Sequence, residues 1–319
     1  MNSHHKTEII QTQINHVGID VSKLHLDVSI ADMKNKRFPY TSKGIEDLVK
    51  KISGLPDPCV TCESTGGYEM RLVNSLHEAA IPVAIASPGR VRYFAKAEGI
   101  IAKTDAIDAQ LIRRFAEKIT IHRHQKPSPQ AERLREMTDS RRFLCQNITQ
   151  IQNRLELAQG YKKEILLVQL TQARELKEKV EKDIQTHLKE FEELGKKAAR
   201  LQELKGVGPI LATTILAQLP EIGKVSDKTI ACIVGVAPHP KQSGNYIGKS
   251  SIRGGRAAIR HVLYMGAVAA IRSNPILKAF YERLRLSGKS AKIAIVAVMR
   301  KMLCVLNKLV ANPEFSLAH

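Results

Sequence analysis

The sequence predicts an α/β domain at the N-terminal end and a mostly α-helical remainder. Three observations predict it. Strand-like and helix-like segments alternate over residues 1–125. No proline falls between Pro129 and Pro209, and Leu and Ile recur there at helical spacing among charged and Gln-rich stretches. Beyond residue 205 a Gly-Val-Gly turn leads into an apolar helix, and further helical patterns follow.

In order, His16–Ser22 and His25–Ala31 are β-rich, partly alternating segments around a short turn, and Arg37–Thr41 is a third, short strand. Gly44–Ile52 is a helix with Ile45, Leu48, Val49 and Ile52 on one face. Cys59–Cys62 is a strand after the Pro56/Pro58 break, Gly67–Ala80 a helix, Val83–Ala86 a buried strand and Thr104–Glu117 a helix. Residues 126–204 read as two long helices, a helical hairpin or coiled coil suited to a dimerisation arm or a solvated spacer. In residues 205–319, LKGVGPILATTILAQL resembles a helix-hairpin-helix element, whose backbone N–H groups at the helix start suit a DNA phosphate; this puts Gly206 and Gly208 at a nucleic-acid contact. Helices follow at Ala257–Arg272 and Ser290–Leu309, and the stretch between Pro240 and Arg256 reads as a loop.

Charge narrows the partners. Across 319 residues, 50 Lys and Arg stand against 31 Asp and Glu, a net charge of +19. From His239 onward, fourteen Lys and Arg face two Glu, so +12 of the +19 lies there. Such a field meets polyanions, nucleic acid or an anionic membrane. The longest apolar run, Val262–Ile271, is half of the ~20 residues a membrane span needs. The segment MNSHHKTEII has no apolar core, and five cysteines without a signal-like segment point to free thiols in a reducing cytoplasm. Cys59 and Cys62 form a lone CxxC with no second pair at zinc-ribbon spacing, which reads as part of a buried strand.

Four carboxylates stand where elements begin or end. Asp20 interrupts an apolar first strand, Glu63 closes the Cys59–Cys62 strand, and Asp105 and Asp108 share one face at a helix start. A carboxylate in an apolar strand is costly unless paired. Crowded carboxylates need a cation to stay ionised together, and Mg²⁺ takes such oxygen ligands alongside phosphates. Singly, each acid has an ordinary explanation as a cap or a helix-dipole partner.

GIDVSK around Asp20, CESTGGYE around Glu63 and KTDAIDAQLIRRFA around Asp105 and Asp108 resemble the DEDD transposases of bacterial insertion sequences. The related Piv-type DNA invertases share this pattern. The resemblance covers most of the chain. It implies a ribonuclease H-like (RuvC-like) catalytic domain over 1–125, a helical dimerisation segment over 126–204 and a C-terminal transposase domain over 205–319. It also implies one or two Mg²⁺ ions on Asp20, Glu63, Asp105 and Asp108.

The stretch GVAPHPKQSGNYIGKSSIRGGRAAIRHVLYMGA resembles the family's C-terminal signature, in which a serine attacks DNA and forms a phosphoserine link; the matching position is Ser243. On the residues alone Ser243, Ser250 and Ser251 are nearly equal candidates. Flanking Lys241, Lys249, Arg253 and Arg256, with Arg260 beyond, suit a phosphate that gains charge in the transition state. The proton acceptor stays open between the metal site and His239. His261 reads as a packing or phosphate-contact residue.

The resemblance further implies donor and target DNA as substrates, a dimer or tetramer, and a structured noncoding bridge RNA as guide. Three other functions compete: a hydrolytic Holliday-junction-resolvase-type nuclease, an actin-like ATPase suggested by GIDVSK before a hairpin, and a non-catalytic nucleic-acid scaffold. No second glycine-rich phosphate loop is evident for the ATPase.

Overall fold

The computed structural model describes residues 14–100, 105–243 and 246–317; side chains are described for these except 105, 106, 241–243 and 246–250. The chain divides into two compact units, Met1–Lys126 and Pro127–His319.

The first unit is built on a five-stranded sheet. Its strands are β1 (Asn15–Val21), β2 (His25–Ile30), β3 (Lys36–Pro39), β4 (Pro58–Glu63) and β5 (Val83–Ala86), in the order β3-β2-β1-β4-β5. β1, β2 and β3 form an antiparallel meander, while β4 and β5 run parallel to β1. This is the ribonuclease H-like, RuvC-like α/β arrangement expected from the sequence.

Strand alternation explains the two layers that cover the sheet. Val17, Ile19, Val21, Leu26, Val28, Val60 and Cys62 point to one face. There they meet Ile45, Leu48 and Ile52 of α1 (Ser42–Ser53) and Leu72, Val73 and Leu76 of α2 (Glu69–Glu78). The other face carries α3 (Pro88–Ala97) and α4 (Asp105–Lys118). A Cβ on Gly18 would lie 2.2 Å from the Ala109 carbonyl oxygen and 2.4 Å from the Arg113 nitrogen, so α4 rests directly on the β1 backbone. Ala86, Val91, Leu111, Ile112 and Phe115 close this second layer.

Two details differ from the sequence reading. α3 was not anticipated, although Pro88 at its first turn is a helix-start signal. The helix expected from Gly67 begins at Glu69, because Gly66 and Gly67 adopt φ of 74° and 109° in a turn that only glycine favours.

In the second unit, α5 (Pro129–Leu155) and α6 (Gly160–Glu190) form the expected helical hairpin. Arg141 pairs with Glu181 at 2.7 Å, and Ile151 packs with Leu166 and Leu170, which fixes an antiparallel register. The base of the hairpin joins α7 (Glu192–Gln202) and α8 (Pro209–Gln218) through Leu134, Ile184, Leu188, Ala198 and Ala217.

The C-terminal core unites α8, α9 (Asp227–Val234), α10 (Ala257–Ser273), α11 (Pro275–Leu286) and α12 (Ala291–Ala311) around Leu211, Ile215, Ile230, Leu263, Met302 and Leu306. Asn307, buried on α12, donates to Val225 O and Asp227 Oδ1 and accepts from Gly223 N. It thereby ties the last helix to the turn before α9. The region read as a loop is instead a β-hairpin, β6 (His239–Ser243) with β7 (Tyr246–Ser251). Cross-strand pairing satisfies backbone groups that a loop would leave to water.

No described helix is long and apolar enough to cross a membrane.

Candidate active site

Register assembles the first part of the site. Arg37 pairs with Asp27 across β3–β2, and Asp27 with Asp20 across β2–β1. Ile19 pairs with Cys62 across β1–β4, so Asp20 and Glu63 are the next residues along two parallel neighbours. Glu63 in turn pairs with Ala86 of β5. Residues paired across a sheet share a face, and adjacent strands lie about 4.8 Å apart. Arg37, Asp27, Asp20 and Glu63 therefore form one row on the α4 face. Gly18, two residues before Asp20, is the point where Ala109 touches the sheet, and Asp108 directly precedes Ala109. Asp105 is the first residue of α4, one turn earlier.

The fold thus brings three of the four predicted carboxylate positions to one side of the sheet, with Asp105 a helical turn away on the same helix. Asp27 was missed by sequence reasoning. It is buried at 6% exposure and receives Nε and Nη2 of Arg37, each at 3.0 Å. Like charges directly opposite on neighbouring strands repel, and the bidentate guanidinium offsets that repulsion. Asp27 is thus committed to Arg37. Among the described residues no group of three His, Cys, Asp or Glu stands at metal-holding spacing, and the Asp105 side chain is outside that set. The chemistry of the donors nonetheless fits a hard divalent ion: carboxylates on adjacent strand ends, with the one extra acid already neutralised.

The loop after Glu63 is stiffened from within. The Glu69 carboxylate accepts from Gly67 N at 2.8 Å, Thr65 N at 3.1 Å and the Ser64 and Thr65 hydroxyls. Burial works to raise its pKa, but these donors outweigh it and hold the carboxyl below its usual range. Ser64 N also donates to Ala86 O at 3.0 Å, fastening the loop to β5. Glu69 was not anticipated either, although it lies within the motif CESTGGYE. Cys62, between Val60 and Glu63, is fully buried, and burial pushes its thiol up to about 12. It is a core residue, as the strand reading of the CxxC expected.

The remaining candidate residues lie in the second unit. Ser243 ends β6 and pairs with Tyr246, next to the link between the strands. Ser251 pairs with His239 at the opposite end of the ladder, and Ser250 is its neighbour. The three candidate serines are thus separated, one at the tip and two at the root. His239 lies four strand positions from Ser243, about 13 Å at 3.3 Å per residue. That exceeds hydrogen-bond reach and removes His239 as a direct proton acceptor within one chain.

The root of the hairpin is tightly built. Gly235 and Gly255, both at positive φ, stand back to back: a Cβ on Gly255 would lie 2.4 Å from Gly235 N. Arg256 donates to both Glu221 carboxylate oxygens at 2.6 and 2.7 Å and to Gln218 O at 2.9 Å. Burial acts to raise the Glu221 carboxyl, and Arg256 overcomes it, so the net direction is down. Arg260 donates to Val234 O at 3.0 Å and to Gly254 O. Sequence reasoning assigned Arg256 and Arg260 to nucleic acid. In the structure both guanidinium groups have protein partners and clamp the hairpin root, whereas Arg253 is exposed. Lys241 and Lys249 lie on β6 and β7.

Gly206 and Gly208 divide in the same way. A Cβ on Gly206 would lie 2.4 Å from the Ala270 side chain, so this glycine serves close packing of the turn on α10. Gly208 precedes Pro209 at the start of α8, and a Cβ there would meet nothing within 4 Å. The turn is therefore packed at Gly206 and open beside Gly208.

An α/β unit with a row of acids at its strand ends, followed by a basic helical unit that carries a β-hairpin, fits the class of nucleic-acid-acting enzymes. Comparison with known proteins narrows it. Residues 17–158 match a family described as Transposase, of the DEDD IS110 type, and residues 198–282 match one described as Transposase IS116/IS110/IS902 family. The chain is 26% identical over 301 residues to the "Pilin gene-inverting protein" of Moraxella bovis, covering 91% of this chain and 94% of that one. It is 33% identical over 107 residues to the "Insertion element IS900 uncharacterized 42 kDa protein" of Mycobacterium paratuberculosis, covering 32% and 27% of the two chains. Among solved structures, T. thermophilus RuvC with a Holliday junction substrate matches at 14% identity and a TM-score of 0.28, over 35% of this chain and all of that one.

The chain belongs to the IS110 family of DEDD transposases, DNA-acting recombination enzymes of insertion sequences.

Proposed function

We propose that this transposase breaks and rejoins DNA through a covalent link to Ser243, with Mg²⁺ held by Asp20, Glu63, Asp105 and Asp108. The observation that carries the reading is the strand register, which aligns Asp20 with Glu63 on the face where α4 brings Asp108 against β1. A divalent ion there supplies charge stabilisation to the phosphate oxygens. The chain's own residues do the rest. The Ser243 oxygen forms a bond to phosphorus as the bond from phosphorus to the leaving sugar oxygen breaks. The serine proton passes to a base, and the sugar oxygen leaves as a hydroxyl. The number of phosphoesters is conserved, so rejoining needs no nucleotide hydrolysis. Lys241, Lys249 and Arg253 contact the phosphate backbone, while Arg256 and Arg260 hold the hairpin that carries Ser243.

The same reading assigns donor and target DNA as substrates and a structured bridge RNA as the guide that pairs with both, acting in the cytoplasm on nucleoid DNA. Because acids and serine belong to separate units, a dimer or tetramer joined through the α5–α6 hairpin is the working form. In organisation, residues 1–125 supply the metal chemistry, 126–204 the assembly arm and 205–319 the serine. The name of the Moraxella bovis relative makes inversion an outcome to test beside insertion.

The test is cleavage of element-end DNA with Mg²⁺ by Asp20→Asn and Asp105→Asn, with the RNA that copurifies. Both variants should lose cleavage and keep nucleic-acid affinity within about twofold, since neither residue is cationic. Retained cleavage overturns the metal assignment.

A further inference from the structure

We propose that the outer face of α3, centred on Tyr93 with Arg92 and Lys96 and continued by Tyr68, seats an unpaired nucleic-acid strand and leads it to the Asp20–Glu63 row. This rests on the recombinase reading and assigns it a strand-binding surface centred on α3, which lies outside the quoted motifs, with Tyr68 of CESTGGYE beside it.

The helix has two different sides. Val91, Phe94 and Ala95 pack into the cluster with Leu111, Ile112 and Phe115. At 3.6 residues per turn, Tyr93 falls opposite these inward positions. It is 71% exposed, and Arg92 and Lys96 beside it are exposed as well. Helix α3 contains three basic residues and no acid. The next acid along the chain, Glu98, is engaged by Lys118 at 2.8 Å and by Arg114. Arg90 lies over the Phe115 ring at 5.3 Å, which ties that cation to the core side. Among the described residues no ion pair engages Arg92 or Lys96, so the outward charge is positive.

Position gives the patch a purpose. β5 runs straight into α3, and Ala86, two residues before Pro88, is the strand partner of Glu63. α3 thus starts at the carboxylate edge and packs on the same face of the sheet as α4. On the far side of Glu63, the loop held by Glu69 ends at Tyr68, which is 51% exposed. Gly66 and Gly67 in that loop have open space where a Cβ would be, so a strand can approach the backbone closely. An exposed phenol ring flanked by two exposed cations on α3, with a second exposed ring at the end of the loop after Glu63, matches the stacking-plus-charge chemistry of single-strand binding. Neither ring belongs to a core cluster among the described residues, and the chain has seven Tyr and no Trp. Duplex DNA keeps its bases stacked and offers them no ring face, so the patch selects unpaired strands.

The test uses the full-length protein without Mg²⁺, so that binding is read apart from cleavage. Fluorescence anisotropy with labelled oligothymidylate and oligouridylate gives the DNA and RNA arms, and a duplex of equal length gives the contrast. Tyr93→Ala should weaken the preferred single strand by roughly tenfold, within the range that loss of one stacked base implies. It should change duplex affinity less than about twofold, and Tyr93→Phe should restore single-strand binding, since the ring face remains. An iodouracil-substituted strand should cross-link to the peptide carrying Tyr93. The arm that responds identifies DNA or RNA as the occupant. Equal affinity of Tyr93→Ala and wild type for both single strands overturns the proposal, as does cross-linking confined to the second unit. Because Mg²⁺ is absent, a failed serine or metal assignment leaves this result unchanged.

Discussion

Replacing Gly18 by alanine tests the idea that α4 delivers its acids by resting on bare β1 backbone. The added Cβ would lie 2.2 Å from Ala109 O and 2.4 Å from Arg113 N. Protein Cβ atoms essentially never approach closer than 3.0 Å, so the helix must move away by at least about 0.8 Å. Both obstructing groups are main chain, so no rotamer change relieves them. Overpacking of this kind costs about 1–3 kcal/mol. In a unit of this size that lowers the melting temperature by roughly 3–15 °C. The larger effect should fall on chemistry. Asp108 precedes Ala109 and moves with it while Asp20 stays on β1, and a displacement near 1 Å costs on the order of a hundredfold in rate. The assay is Mg²⁺-dependent strand cleavage at 20 °C, with circular dichroism showing that the variant is still folded. Gly54→Ala serves as control, because a Cβ there meets only Lys51 O at 3.5 Å. Wild-type cleavage and melting in Gly18→Ala would refute the argument.

Other predictions follow from the same geometry. Glu221→Gln should weaken the hairpin root. Allowing for the pair's partial exposure, the loss is about 1 kcal/mol at neutral pH, read by urea unfolding. The folded carboxyl lies below its ordinary value, so wild type holds this contribution above that value and loses it as pH falls through the depressed one. The difference between wild type and variant should therefore vanish in acid, and a gap that widens there contradicts the pairing. Iodoacetamide at pH 8 should label Cys232, which is exposed, and spare Cys62, whose thiol stays protonated and buried; peptide mapping reads both. Gly206→Ala should destabilise the second unit because its Cβ meets α10, whereas Gly208→Ala should leave melting unchanged within about 1 °C.

Legibility in the sequence followed how local the determining signal was. β1, β2, α1 and β5 carry their period within a few residues, and they lie where the alternation of apolar residues puts them. α3 escaped notice because PGRVRYFAKA mixes cations and aromatics, and only Val91, Phe94 and Ala95 mark its inner face. The β6–β7 hairpin has few β-branched residues, so its polar run reads as a loop. The Gly-Asn dipeptide after Ser243 was the available sequence sign of a hairpin. The acids of the site were visible as charges at element ends, but Asp27 was not, because its place opposite Asp20 depends on register. For the same reason sequence proximity misjudged Arg256 and Arg260. Their partners Glu221, Gln218 and Val234 come from segments 26 to 38 residues away. His239 looked close to Ser243 only because four residues of strand are short in sequence and long in space.

The central claim is that Ser243 becomes covalently joined to DNA. Protein purified with its RNA should be mixed with element-end and target DNA and Mg²⁺, denatured, and resolved for DNA that stays attached to protein, alongside Ser243→Ala. Wild type should give an adduct and a modified peptide containing Ser243, and the variant should give no adduct. Cleaved DNA with no adduct in wild type would contradict it and make the enzyme a hydrolytic nuclease.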